Sequence, residues 1–147
     1  MKKIDVLIVG LPRNAKKNKE NIENNIFSNF NVQNMVNVFS YEDQLYNPRS
    51  GDNGEMDYDQ YYVFMEKPVI LNLNTGSFYS NFSPILDSGK DPWNDNSRSV
   101  RNFLKYLRCL EEAYMEWSRL ENPSKTVLVL RPDIIYADIT SNLVLRI

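Results

Sequence analysis

Two short apolar runs with a helical stretch between them constrain this chain more than any other feature. Residues 4–9, Ile-Asp-Val-Leu-Ile-Val, form a compact β-type run that stops at Gly10-Leu-Pro-Arg-Asn14. Residues 16–30 are polar but carry Ile22, Ile26, Phe27 and Phe30 at helical spacing, which predicts a helix. Residues 32–39, Val-Gln-Asn-Met-Val-Asn-Val-Phe, read as a second strand. The order β-α-β favours a parallel sheet closed by a right-handed crossover, so the chain is expected in the α/β class as one domain over residues 1–147.

The far end of the chain repeats the signal. Residues 97–120 carry Val100, Phe103, Leu104, Leu107, Leu110, Tyr114, Trp117 and Leu120, the spacing of an amphipathic helix. Asn96 or Ser97 is the expected cap and Asn122-Pro123 the stop. A buried strand follows at 125–130 and runs into Arg131-Pro132-Asp133. Proline cannot donate to a ladder, so pairing should end there. Charge at the C-terminal edge of a parallel sheet lies where ligands bind in open α/β folds. An Arg–Asp pair sealing a turn accounts for the same residues. The Gly10–Asn14 turn is likewise a candidate anion contact through Arg13, or an ordinary βα turn with a surface arginine. Its lone glycine matches neither the P-loop nor the dinucleotide fingerprint.

Between these ends lies a loop-rich insertion at about 41–96. It holds Asn47-Pro-Arg-Ser-Gly-Asp-Asn-Gly54, the tyrosines 58, 61 and 62, a short strand near Val69–Leu73, and a Gly-, Ser-, Asn- and Asp-rich stretch. The aromatic residues there, with Trp93, could stack on a base or cover the core.

Composition narrows the chemistry. The chain has no histidine and one cysteine, Cys109. That removes Ser-His-Asp and Cys-His catalysis, histidine metal sites and an internal disulfide. Acid–base work falls to carboxylates, Lys or Tyr, and a metal would be held by oxygen, as Mg²⁺ or Mn²⁺ beside phosphate. Asp87, Asp91 and Asp95 are candidate bases, and nothing in the sequence selects among them. A net charge of −2 argues against nucleic acid. No run is long enough to span a membrane, and Asp5 breaks the signal-peptide pattern of the start; the expectation is a cytoplasmic protein. In the long helix, Arg98, Arg101, Lys105 and Arg108 precede Glu111, Glu112 and Glu116, the reverse of what the macrodipole prefers. Such a basic stripe could meet an anion or simply be solvated.

Gly10-Leu-Pro-Arg13, the asparagine-bearing helix around Asn21, Arg98-Ser-Val-Arg-Asn-Phe-Leu-Lys-Tyr-Leu107 and Arg131-Pro-Asp-Ile-Ile-Tyr-Ala-Asp138 together resemble nucleotide-sugar glycosyltransferases of the GT-A kind, closest to those of marine viruses and bacteria. The resemblance covers both ends and skips 41–96. It implies a Rossmann-like, GT-A-like fold whose partner is a nucleotide sugar. Gly10 and Arg13 would lie near the nucleoside, and Arg131 and Asp133 near the diphosphate, sugar or metal. Arg101 and Lys105 are further phosphate candidates. GT-A enzymes carry Asp-x-Asp at this turn. Asp133 matches its second aspartate and would be the metal ligand for Mn²⁺ or Mg²⁺, while Arg131 replaces the first and could neutralise a diphosphate directly. Enzymes of this kind run on beyond this point, so the chain resembles their donor-binding part, with the residues of catalysis unassigned. A non-catalytic partner-binding module is the alternative, with a homodimer formed through the apolar end Leu143-Val-Leu-Arg-Ile147.

Overall fold

In the computed structural model, residues 1–47 and 52–137 are described. Asp138 and the apolar end at 143–147 lie outside them. Ten regular elements follow in chain order: β1 (Lys3–Gly10), α1 (Ala15–Asn25), β2 (Asn31–Ser40), β3 (Gln44–Asn47), β4 (Asp52–Glu55), β5 (Val69–Leu71), α2 (Gly76–Ser80), α3 (Ser83–Leu86), α4 (Arg98–Ser118) and β6 (Val127–Leu130). Four strands form one sheet in the order β5-β2-β1-β6, every pair parallel. The chain is mixed α/β, as its opening predicts.

Strand β1 is central, and its side chains alternate between two cores. Ile4, Val6 and Ile8 face α1, where Ile22, Ile26 and Phe30 cover them together with Met56, Tyr61 and Phe39. Leu7 and Val9 face α4, with Val36, Val38, Cys109 and Ala113. A strand buried on both faces explains the unbroken apolar run at 6–9. The chain runs outward from β1 to β2 and β5, then crosses back through α4 to β6 on the other side of β1. The gap between the ends of β1 and β6 is therefore a switch point, where crevices form in open parallel sheets.

Asp5 is the exception in β1. It is fully buried, and a register shift between Ile4 and Asp5 sets it opposite Asn34 of β2. Its carboxylate accepts from Asn34 Nδ2 at 2.8 Å, Trp117 Nε1 at 2.8 Å and the Ser124 amide at 2.6 Å. Burial pushes its carboxyl up, but the hydrogen bonds from Trp117, Ser124 and Asn34 outweigh burial and hold it below the usual carboxylate range. The residue that breaks the signal-peptide pattern ties β1, β2, α4 and the turn before β6 together.

The start of α4 differs from the expected cap. Asn96 and Ser97 both have left-handed backbone, with φ of 58° each, and Ser97 makes no side-chain cap bond. Asp95 does this work, accepting from the Ser99 amide and hydroxyl. Asp91 in turn accepts from the Asp95 and Ser97 amides at 2.9 Å. A carboxylate at this helix end suits the dipole and offsets the basic residues that follow. The apolar spacing of α4 spans more than the sheet covers: Leu104 is buried, whereas Phe103, Leu107 and Tyr114 are exposed. Within the insertion, β3 and β4 pair antiparallel, where the sequence predicts only loop.

Candidate functional site

The C-terminal ends of β1, β2 and β6 meet the first half of α4 around a cleft of about 380 Å³. Gly10, Arg13, Lys105, Arg131 and Asp133 all line it, residues drawn from three distant parts of the chain. Arg101 does not. It lines a second cleft of about 430 Å³ that shares Leu11, Arg13, Glu42, Asn102 and Lys105 with the first. Both volumes fall within the roughly 300–1,000 Å³ usual for small-molecule sites.

Backbone geometry fixes the first wall. Gly10 has φ of 110°, a conformation that costs side-chain-bearing residues free energy. A Cβ added there would lie 3.3 Å from the Tyr106 ring. One edge of the ring thus packs against the strand end, and the Arg131 guanidinium sits 5.7 Å from its centroid, within cation–π range. Local sequence pattern does not mark Tyr106 as a site residue. Its position one residue past Lys105 on α4 gave the only signal, and it needed Gly10 as a partner to be read.

Asp133 is the hub of the cleft. Its Oδ2 accepts from Arg131 Nη2 at 2.9 Å and Arg13 Nε at 3.2 Å, and its Oδ1 accepts from Arg131 Nε at 3.1 Å. The carboxylate side chain is 5% exposed, whereas that of Arg131 is 47% exposed. One buried carboxylate therefore braces two guanidiniums, and the group keeps a surplus positive charge at the cleft. A divalent cation on Asp133 would have to displace or lie beside both guanidiniums, an unfavourable arrangement for like charges. The same arrangement suits an anion. Among the described residues, no group of three or more carboxylates or cysteines is placed to hold a metal.

Lys105 is committed elsewhere. It is buried, and its ammonium pairs with Glu42 at the wall shared by the clefts. Glu42, absent from the sequence-based candidates, is held further by Asn74, which donates to its Oε2 at 3.1 Å. Tyr61 supports the same corner: its hydroxyl accepts from the Glu42 amide at 2.9 Å and donates to the Ser40 carbonyl at 3.1 Å. Burial pushes the Tyr61 hydroxyl up to about 12, so it stays a neutral donor. Tyr61 belongs to the core, and Tyr58 pairs with Tyr41; Trp93 is exposed and lines neither cleft. Asp91 and Asp95 serve the backbone ahead of α4, as described above. Arg108 pairs with Glu111 and Glu112, away from both clefts.

An asparagine stripe on α1 holds the turn after β6. Asn18 Nδ2 donates to the Pro132 carbonyl at 3.0 Å. Asn21 and Asn25 both donate to the Tyr136 carbonyl, at 3.0 and 2.8 Å, and the Tyr136 amide donates to Asn21 Oδ1 at 2.7 Å. The spacing 18, 21, 25 puts the three amides on one face of the helix. The Tyr136 hydroxyl closes the loop by accepting from the Arg131 amide at 2.7 Å and donating to the Arg131 carbonyl at 3.1 Å. The abundance of asparagine in α1, uninformative by itself, is a set of hydrogen bonds that fixes Arg131-Pro132-Asp133.

No family model matches the chain, and neither a curated protein nor a solved structure does.

Proposed function

We propose that the first cleft binds a nucleoside-diphosphate sugar, and that the chain is the donor-binding α/β domain of a GT-A-like glycosyltransferase. The observation that carries this reading is the pair of guanidiniums sharing one buried carboxylate at the switch point. Two cations fixed at the ends of β1 and β6 suit a diphosphate, with charge-assisted hydrogen bonds about twice as strong as neutral ones. Tyr106, packed on Gly10, offers a ring face beside them. Arg131 neutralises the diphosphate directly, and Asp133 holds that arginine in place. In the metal-assisted version of the reading, Asp133 is the ligand for Mn²⁺ or Mg²⁺ and must first release the arginines.

Calorimetric titration with UDP, GDP and CMP, with and without Mn²⁺, tests this. Binding in EDTA that is lost in Arg131→Ala supports direct neutralisation. Binding that needs Mn²⁺ and is lost in Asp133→Asn supports the metal. A folded sample that binds none of the three nucleotides would remove the donor-site reading.

One observation favours a second reading, a partner-binding module without catalysis. β6 is an edge strand among the described residues, and beside it lies an apolar groove of about 1470 Å³ lined by Leu107, Leu110, Tyr114, Val127 and Val129. Exposed apolar patches of this kind mark association surfaces. Light scattering at increasing protein concentration tests self-association.

A further inference from the structure

We propose that the groove beside β6 is the seat of the chain's own apolar segment, Leu143-Val-Leu-Arg-Ile147, added to the free edge of β6 as a further strand of the sheet. The proposal takes the groove from the partner-binding reading and gives it a different occupant. It leaves the nucleotide reading untouched.

The described residues leave a place for one more strand. β6 pairs with β1 along one edge, and among the described residues its other edge faces no strand. Edge strands that stay unpaired are blunted by charge, proline or a bulge. Val127-Leu-Val-Leu130 has no charge and no proline, and it pairs with β1 in unbroken register. Leu128 and Leu130 join the core on the α1 side, whereas Val127 and Val129 line the groove on the α4 side. Leu107, Leu110 and Tyr114 of α4 form the facing wall. Leu107 and Val129 stay 42% and 41% exposed, so the apolar face of α4 is wider than the sheet beneath it. A strand added to β6 would lie about 4.8 Å from it, in this groove.

The sequence names the occupant. Outside the described residues lie 48–51 and 138–147. The first is Pro-Arg-Ser-Gly, turn chemistry rather than strand. The second carries Leu143, Val144, Leu145 and Ile147. In an extended segment, Leu143, Leu145 and Ile147 share one side and Val144 and Arg146 the other. The side of three apolar residues matches the groove wall, and Arg146 falls on the side away from it. The tether also reaches. Tyr136 is fixed by Asn21 and Asn25, and its hydroxyl meets the Arg131 backbone at the end of β6. Residues 138–142, extended, span roughly 17 Å, several times the strand spacing. A short tether holds its segment at an effective concentration on the order of millimolar, which favours it over a second copy of the chain.

Hydrogen exchange on the full chain, read by NMR over a range of protein concentrations, tests this. The parent is compared with Leu107→Ser in the groove wall, Leu143→Ser/Leu145→Ser in the segment, and Arg146→Ser as a control. The expected result is that the 143–147 amides exchange about tenfold or more slowly than an unstructured chain, equally at every concentration. Leu107→Ser and Leu143→Ser/Leu145→Ser should each abolish that protection, and Arg146→Ser should keep it. Exchange of 143–147 at the unstructured rate overturns the proposal. So does protection that grows with protein concentration, which would seat a second copy in the groove and sustain the partner-binding reading. Protection that survives the substitutions at 143 and 145 overturns it as well. That variant is altered outside the described core, so it decides the matter even where Leu107→Ser does not fold.

Discussion

Two buried carboxylates sit at opposite ends of the same sheet, and their partners differ in kind. Asp5, near the N-terminal end of β1, accepts from an indole, a carboxamide and a backbone amide, all neutral. Asp133, beyond the C-terminal end of β6, accepts from two guanidiniums. Neutral donors satisfy the hydrogen bonding of Asp5 and leave its one negative charge sealed in the interior, so that end is a closed joint. Charged donors overcompensate Asp133 and leave positive charge at an open cleft. The physical lesson is that burial of a carboxylate does not distinguish a brace from a site. The charge that its partners carry, and whether the cluster opens onto a cleft, do.

Removing Asp5 should cause the largest loss of stability. Asp5→Ala strands three donors, each worth about 1–3 kcal/mol when left unsatisfied in the interior, so the variant should unfold at much lower urea than the parent or fail to fold. An Asp5→Ala protein within 1 kcal/mol of the parent, about the effect of an ordinary substitution, would show that the joint is not closed.

The same residue sets an acid limit. Its folded pKa lies below the unfolded value, near 3.8. Its contribution is therefore complete above that value and is lost as pH falls through the lower folded one. Urea titrations from neutral pH down to about pH 3, below the unfolded aspartate value, should show a steeper loss in the parent than in Asp5→Asn, provided that variant folds. Parallel curves would argue that Asp5 carries no such linkage.

The cleft end should respond more weakly in stability. Gly10→Ala forces a side chain into positive φ and towards Tyr106, at about 1–2 kcal/mol. Asn21→Ala removes two bonds to Tyr136, at about 1–2 kcal/mol. Both should lower the melting temperature by several degrees, and Asn21→Ala should also loosen Arg131 without touching the cleft. Nucleotide affinity unchanged in Asn21→Ala would show that the asparagine stripe serves folding alone.

Arg131→Ala should have the smallest effect on stability, below about 1 kcal/mol, because its ion pair is half exposed. Under the proposed function it should have the largest effect on nucleotide binding. A protein much less stable without Arg131, and equally able to bind UDP, GDP or CMP, would make the two ends of the sheet alike.

Cys109 offers an internal probe of the same contrast. It is buried against β1, and burial pushes its thiol up to about 12. It should resist thiol reagents near neutral pH until α4 opens from the sheet.

Local apolar spacing is enough to specify the strand–helix–strand opening, the long helix before β6 and the parallel class. The sequence also brings forward Gly10, Arg13, Arg131 and Asp133, because Pro132 and Gly10 punctuate strand ends. What those residues meet depends on how the sheet closes. Tyr106 needed Gly10 beneath it, Glu42 needed Lys105 from 63 residues away, and the α1 asparagines needed the turn that they hold. Asp95 replaced the expected cap because a carboxylate two positions before Ser97 reaches the Ser99 amide once the backbone turns left-handed. Local pattern is written in neighbours along the chain. A site is made by pairs more than a hundred residues apart, such as Arg13 and Asp133, and those are joined only when the sheet closes around β1.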